Sequence, residues 1–214
     1  IRREVRQTLC KEYLIDIDID NAHPSILLQI CKKNEIDCEY LEEYVNDRES
    51  IFKRLIKKYE TDRDSVKKLF IQLMYYGSFE AWIKEKNIKN EESDKFINKF
   101  KKELQEIGEV IMEKNKEIVE FVENRKKDEK NYNKIGSVVS YYLQEIECRI
   151  LESMYTYCIN NKYIIDNVCV LAADGLMIEK DKFKPSLLKE FSKIVNDKFG
   201  LKLNFSIKEM KQDY

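Results

Sequence analysis

Three aspartates, Asp16, Asp18 and Asp20, alternate with Ile15, Ile17 and Ile19 in the stretch YLIDIDIDNAHPSIL, residues 13–27. Period-two alternation puts the isoleucines on one face of a strand and the carboxylates on the other. Carboxylates crowded on a half-buried face repel one another and need hydrogen bonds, a counter-charge or a bound cation. Aspartate oxygens suit hard ions, and Mg²⁺ usually takes one or two protein carboxylates and completes its shell with substrate phosphates. Asp174 stands in NVCVLAADGLMIEK, residues 167–180, where two short apolar runs meet around Asp174-Gly175. An Asp-Gly step between such runs is a hairpin signal. One acid from the first strand and Asp174 from the hairpin would hold a metal pair between neighbouring strands, the arrangement used for in-line phosphoryl transfer. Taken singly, an alternating acid strand is more often an exposed acidic edge, and an Asp-Gly step is more often only a turn.

The elements that must position these acids follow from the apolar spacing. Residues 13–20 read as a strand. Pro24 suits the first turn of a helix running through PSILLQICKK. YLEEYVNDRESIFKRLIKKYE continues helically. DRDSVKKLFIQLMYYGSFEAWI is a further helix that breaks near Gly77. Phe96, Phe100, Leu104, Ile107 and Ile111 mark a long amphipathic helix. NRKKDEKNYNK (124–134) is a polar connector, and SVVSYYLQEIECRILESMYTYCI is a helix of more than five turns. After the hairpin comes a helix ending at Gly200, then a last strand in LKLNFSIK. The order predicts an α+β fold: a small antiparallel sheet built from both ends of the chain, with a helical insertion between.

Bulk composition narrows the classes. The chain has 214 residues, 43% hydrophobic and 37% charged, with five glycines and two prolines. Those numbers fit one large domain, or a domain with an insertion, made of long regular elements. A net charge of -1 gives no global attraction to nucleic acid or anionic membrane. Six cysteines without a C-x-x-C pair, beside one histidine, argue against a structural zinc site. They read as reduced thiols of an intracellular protein. No apolar run approaches the ~20 residues of a membrane span, so no membrane partner is expected. The first residue is Ile1 rather than Met, as in a piece of a longer protein with further domains.

The motifs, taken in order, resemble those of palm-type polymerases. DIDNAHPSI (18–26) is similar to motif A, with Asp18 at the metal-binding position and His23 where family B has Tyr. KLFIQLMYYGS (68–78) resembles motif B of family A DNA polymerases and single-subunit RNA polymerases, with Lys68, Tyr76 and Gly77 at the family spacing. VLAADGLMI (170–178) resembles motif C, and SYYLQEIECRIL (140–151) the helix that carries a Gln, here Gln144. The ordered set looks like the divergent polymerase group of transposons and DNA viruses. Motif C reads Ala173-Asp174-Gly175 where family A has His-Asp-Glu, leaving Asp18 and Asp174, with Asp20 nearby. Asp64 stands where the family places an Arg, so Arg63 is the substitute. Only about a dozen residues precede the first strand, where family A places a thumb, so either the thumb is missing from these residues or duplex grip comes from elsewhere; no proofreading exonuclease is present within them.

The resemblance implies a palm from residues 1–45 and 131–214, and a helical fingers insertion from 46–130. It implies a DNA-directed DNA polymerase, a nucleotidyltransferase of DNA replication in a virus or mobile element. Such an enzyme extends a primer 3′-hydroxyl with dNTPs by a two-metal mechanism. Asp18 and Asp174 would be the catalytic, metal-binding residues for Mg²⁺ or Mn²⁺. Lys68 and Arg63 would hold the triphosphate, Tyr76 would lie near the nascent base pair, and Gly77 would let the template pass. His23 would exclude a ribose hydroxyl, favouring deoxynucleotides. The partners would be primer-template nucleic acid and nucleoside triphosphates. Residues 53–68 hold seven basic and three acidic side chains, a local excess that fits an electrostatic track. The rivals are an RNA polymerase or primase of the same fold, a non-catalytic helical nucleic-acid-binding module, and a metal-dependent nuclease. The non-catalytic module predicts Asp18 and Asp174 far apart.

Overall fold

A computed structural model describes residues 3–129, 131–172 and 174–210. Ala173 of the hairpin and Lys130 of the polar connector lie outside the described residues. The chain divides into two compact units, Ile1–Ile26 with Gln144–Tyr214, and Leu27–Leu143. The sequence boundaries at 45/46 and 130/131 differ from these divisions, which fall inside helices α2 (Ala22–Lys33) and α9 (Lys134–Asn160). Apolar periodicity runs unbroken through both helices and carries no mark of a division.

The first unit holds α1 (Arg3–Cys10), α10 (Ser186–Phe199) and the sheet. Its strands are β1 (Leu14–Ile19), β2 (Cys169–Ala172), β3 (Gly175–Glu179) and β4 (Phe205–Lys208), in the spatial order β2-β3-β1-β4 with every pair antiparallel. The fold is thus α+β, with an antiparallel sheet drawn from both ends of the chain. β1 pairs on both sides and is no acidic edge. Ile17 lies opposite Leu176 and Ile207, and Ile19 opposite Phe205. Phe205 meets Phe191 of α10 edge-to-face at 5.5 Å, so the isoleucine face closes against that helix. On the acid face, Leu14, Met177 and Met210 form a small apolar cluster beside Cys10 and Val170. α10 ends at Gly200 in the left-handed conformation (φ 66°), as the sequence predicts. β4 is shorter than its alternation predicts: Leu201 and Leu203 are buried outside the strand, and Ile207 is exposed.

The second unit is helical: α3 (Glu39–Asn46), α4 (Arg48–Tyr59), α5 (Arg63–Met74), α6 (Phe79–Lys86), α7 (Lys95–Lys114) and α8 (Lys116–Arg125), with the adjoining parts of α2 and α9. Its centre is an aromatic cluster. Tyr44 stacks on Phe70 at 4.4 Å, and Phe52 and Phe100 approach Phe70 at 5.7 and 5.3 Å. Caps set the helix starts. Asp62 accepts from Ser65 N–H, Ser78 from Ala81 N–H and Asp94 from Phe96 N–H. α3 lacks such a side chain at its own N-cap, and Glu103 of α7 accepts from the Tyr40 and Leu41 N–H groups instead. The sequence predicts a continuous helix over 40–60, which is interrupted at Asp47, and a break near Gly77 in 62–83, which the structure has at residues 75–78.

A candidate metal site on the acid face of the sheet

Strand register places the acids. Asp18 of β1 lies directly opposite Gly175 of β3, and Ile19 N–H donates to the Asp174 carbonyl at 2.8 Å. Asp18 and Asp174, 156 positions apart in the chain, therefore share one end of two paired strands. The non-catalytic expectation of widely separated acids does not hold. Ala172 pairs with Gly175, which is the first residue of β3, and Asp174 lies in the turn just before it. Its smallness serves close approach: a Cβ there would lie 2.1 Å from the Ile17 carbonyl oxygen and 2.6 Å from Asp18 Oδ1. Any larger residue would push the Asp18 carboxylate out of place.

The face is buried and charged at once. Asp16 and Asp18 are 2% and 7% exposed, whereas Asp20 is exposed. Two β4 residues that sequence reasoning passed over answer these charges: Lys208 Nζ is ion-paired with Asp18 Oδ2, and Ser206 Oγ donates to Asp20 Oδ1. Their one sequence signal is the polar half of the alternation in LKLNFSIK. A buried carboxylate that retains a cationic partner sits in an environment suited to a cation. Among the described residues, no set of three or more His, Cys, Asp or Glu side chains forms a metal cage. Two aspartates are the kind of small hard-oxygen donor set that Mg²⁺ or Mn²⁺ completes with phosphate and water, and the register brings the backbones of Asp18 and Asp174 together.

His23 sits in the first turn of α2, with Nε2 3.1 Å from Glu147 Oε1 on α9. Glu147 is buried and was not singled out in the sequence, where nothing separates it from the surface acids of α9. The pair anchors the start of α2 just beyond the acid strand.

The remaining sequence candidates belong to the helical unit, each held within it. Lys68 is ion-paired with Glu85 of α6. Arg63, the first residue of α5, bonds Glu49 of α4 at 2.5 Å and packs over the Phe52 ring. Arg54 donates to both carboxylate oxygens of Asp94 at 2.8 Å. The basic stretch 53–68 is therefore partly neutralised. Tyr76 and Gly77 close α5. Tyr76 N–H donates to the Leu73 carbonyl and Gly77 N–H to the Gln72 carbonyl, a Schellman end with Tyr76, not the glycine, in the left-handed region (φ 61°). The Tyr76 hydroxyl donates to the Leu104 carbonyl, and Asn133 Nδ2 donates to the carbonyls of Tyr75 and Tyr76, which together hold the strained residue in place. Burial pushes its phenol well above the ordinary value. Burial likewise pushes the Cys31 and Cys158 thiols up to about 12, so at neutral pH both are unreactive thiols.

No family model matches the chain. Among curated proteins it is 29% identical over 211 residues to a Sputnik virophage protein named "Putative helicase V13". The match takes in 98% of this chain and 26% of that protein, so the chain spans about a quarter of the relative's length. This finding corrects the functional expectation. The reading as a DNA-directed DNA polymerase, its RNA polymerase and primase variants, and the replication and nucleotidyltransferase terms are overturned, because the relative aligned with nearly the whole chain bears a helicase name. The polymerase reading rested on short motifs in a familiar order, and such spacing specifies neighbouring strands and helix ends more tightly than it specifies a reaction.

Proposed function

We propose that this chain is a metal-dependent nucleic-acid-engaging domain of a longer helicase-type protein. In this reading Asp18 and Asp174 hold Mg²⁺ or Mn²⁺, and the ion meets the phosphates of the nucleic acid. The observation that carries it is the register that sets Asp18 opposite Gly175 and bonds Ile19 N–H to the Asp174 carbonyl. Buried acids cost stability unless compensated. Keeping Asp18 buried beside a glycine with no room for a Cβ, with the half-buried Asp174 in the adjoining turn, is what a cation site requires. The helicase setting comes from the virophage relative, and the chain's own residues limit what it does there. None of its five glycines is followed by Lys, so these residues lack the Gly-Lys-Ser/Thr loop with which P-loop motors grip nucleotide. The reading is therefore phosphate engagement through a metal ion. Descent of the sheet from a palm-type domain is part of the same proposal, as a statement about ancestry. A reducing, intracellular setting accords with six free cysteines. Among the described residues, no helix is long and apolar enough to cross a membrane.

With a net charge of -1, binding to a polyanion without metal should be weak. Fluorescence anisotropy of labelled single-stranded and duplex DNA and RNA, with and without Mg²⁺, tests this. Metal-dependent binding that is lost in Asp18→Asn and in Asp174→Asn is the expected result. Binding that ignores Mg²⁺ and both substitutions would overturn the reading.

A further inference from the structure

β4 supplies a polar partner to Asp18 of β1 and to Asp20 just beyond its end. Lys208 stands opposite Asp16, and Ser206 opposite Asp18. Each reaches one step diagonally, Lys208 to the Asp18 carboxylate and Ser206 to that of Asp20. The two members of the ion pair differ in freedom. The Asp18 side chain is 10% exposed and that of Lys208 38%. Asp18 is also confined on its other flank, where the Gly175 backbone lies so close that a Cβ would come within 2.6 Å of Oδ1. The carboxylate is fixed in the sheet, and the ammonium is the partner able to leave. A lysine ammonium is a compact point charge on a flexible four-carbon stem, and a buried carboxylate that loses its counter-charge needs a bound cation or hydrogen bonds in its place.

Resting on the metal reading above, we propose that Lys208 is an internal counter-ion that occupies Asp18 until a divalent cation displaces it. Its side chain thereby sets the metal concentration at which the site fills. The exchange is non-covalent: the ammonium leaves Asp18 and the divalent ion takes its place. The freed ammonium stays tethered to β4, where it remains a cation available to the phosphate that follows the metal. The inference assigns Lys208 a role distinct from that of ligand. A structural ion pair would lower stability when broken, whereas a competitor raises metal affinity when removed.

Isothermal titration with Mn²⁺ tests this on the wild-type chain, Lys208→Met, Asp18→Asn and Lys180→Met. Lys180 follows the far end of β3, is exposed, and changes net charge by the same amount. Lys208→Met should bind Mn²⁺ roughly tenfold more tightly than wild type, the scale of one nearby charge removed from a poorly screened site. Lys180→Met should stay within about twofold, since exposed charges beyond a Debye length are screened. A second readout needs no titration: acetylation of Lys208 by an amine-reactive reagent, followed by mass spectrometry. Labelling should be slow in the metal-free wild type, faster with saturating Mn²⁺, and faster in Asp18→Asn without metal. Mn²⁺ affinity unchanged or weakened in Lys208→Met, while wild type binds and Asp18→Asn does not, would overturn this inference and leave the metal reading standing. Absence of Mn²⁺ binding in both wild type and Lys208→Met would overturn both.

Discussion

The sheet unit and the helical unit compensate charge differently: the buried acids of the helices, Asp94 and Glu103, are tied by Arg54 and by backbone N–H groups. In the helices, the cations that sequence reasoning placed at a nucleotide sit on the surface and are matched by nearby glutamates, Lys68 by Glu85 and Arg63 by Glu49. The interior there is aromatic, with Tyr44, Phe52, Phe70 and Phe100 in mutual contact. In the sheet, the charges themselves are inside, Asp16 and Asp18 lying under a face that also holds Lys208. Burying aromatic rings stabilises a fold, whereas burying carboxylates costs it stability unless partners offset the loss. The helical unit is thus arranged for stability. The sheet retains an arrangement that stability alone does not favour, and that is the physical ground for placing the function there.

This contrast breaks or sharpens on specific substitutions. The largest effect belongs to the aromatic centre. Phe70→Ala removes a ring that contacts four others and should cost about 4 kcal/mol in urea denaturation. Gly175→Ala comes next. Its Cβ would meet the Ile17 carbonyl and the Asp18 carboxylate, and the overpacking should cost about 2–3 kcal/mol and abolish metal binding. Ala tolerated there without loss would remove the close-approach argument.

Asp94 sharpens the comparison through pH. Burial works against its ionisation, but Arg54, the Phe96 N–H and Lys58 outweigh burial and hold the carboxyl below its ordinary value. A depressed carboxyl supports the fold above the unfolded-state value, about 4, and that support is lost as pH falls through the lower folded value. Asp94→Asn should therefore destabilise at neutral pH by about 2 kcal/mol and flatten the acid limb of stability against pH. The smallest effect is expected at Arg63. Its exposed pair with Glu49 makes Arg63→Ala nearly silent in thermal denaturation, and a large loss would show that this arginine does more than cover Phe52.

Much of this architecture is legible in the sequence. Period-two alternation marked β1, the Asp-Gly step marked the hairpin, and Gly200 marked the end of α10, because each is a local signal. What stayed hidden was long-range. Lys208 reaches an acid 190 positions earlier, and no local pattern announces that β4 pairs with β1 on the acid side. The helix break at Asp47 was missed for a related reason, because the apolar stripe continues on both sides of it. The break near Gly77 was legible, but Tyr76 takes the left-handed conformation that spacing assigns to Gly77. Glu147 looked like any other helix acid until His23 was placed beside it. The acids were found because their chemistry is unusual for a strand. The activity was misread because the same motif order was credited with a whole reaction.

The central claim is that Asp18 and Asp174 together hold a divalent cation. Mn²⁺ binding measured by electron paramagnetic resonance, on the wild-type chain and on Asp174→Asn, tests it most directly, because Asp174 enters the site only through the hairpin register. The account predicts saturable binding in wild type that weakens at least about tenfold in Asp174→Asn, the loss of one of two charged ligands. Equal Mn²⁺ binding by the two proteins, or none by either, would contradict it.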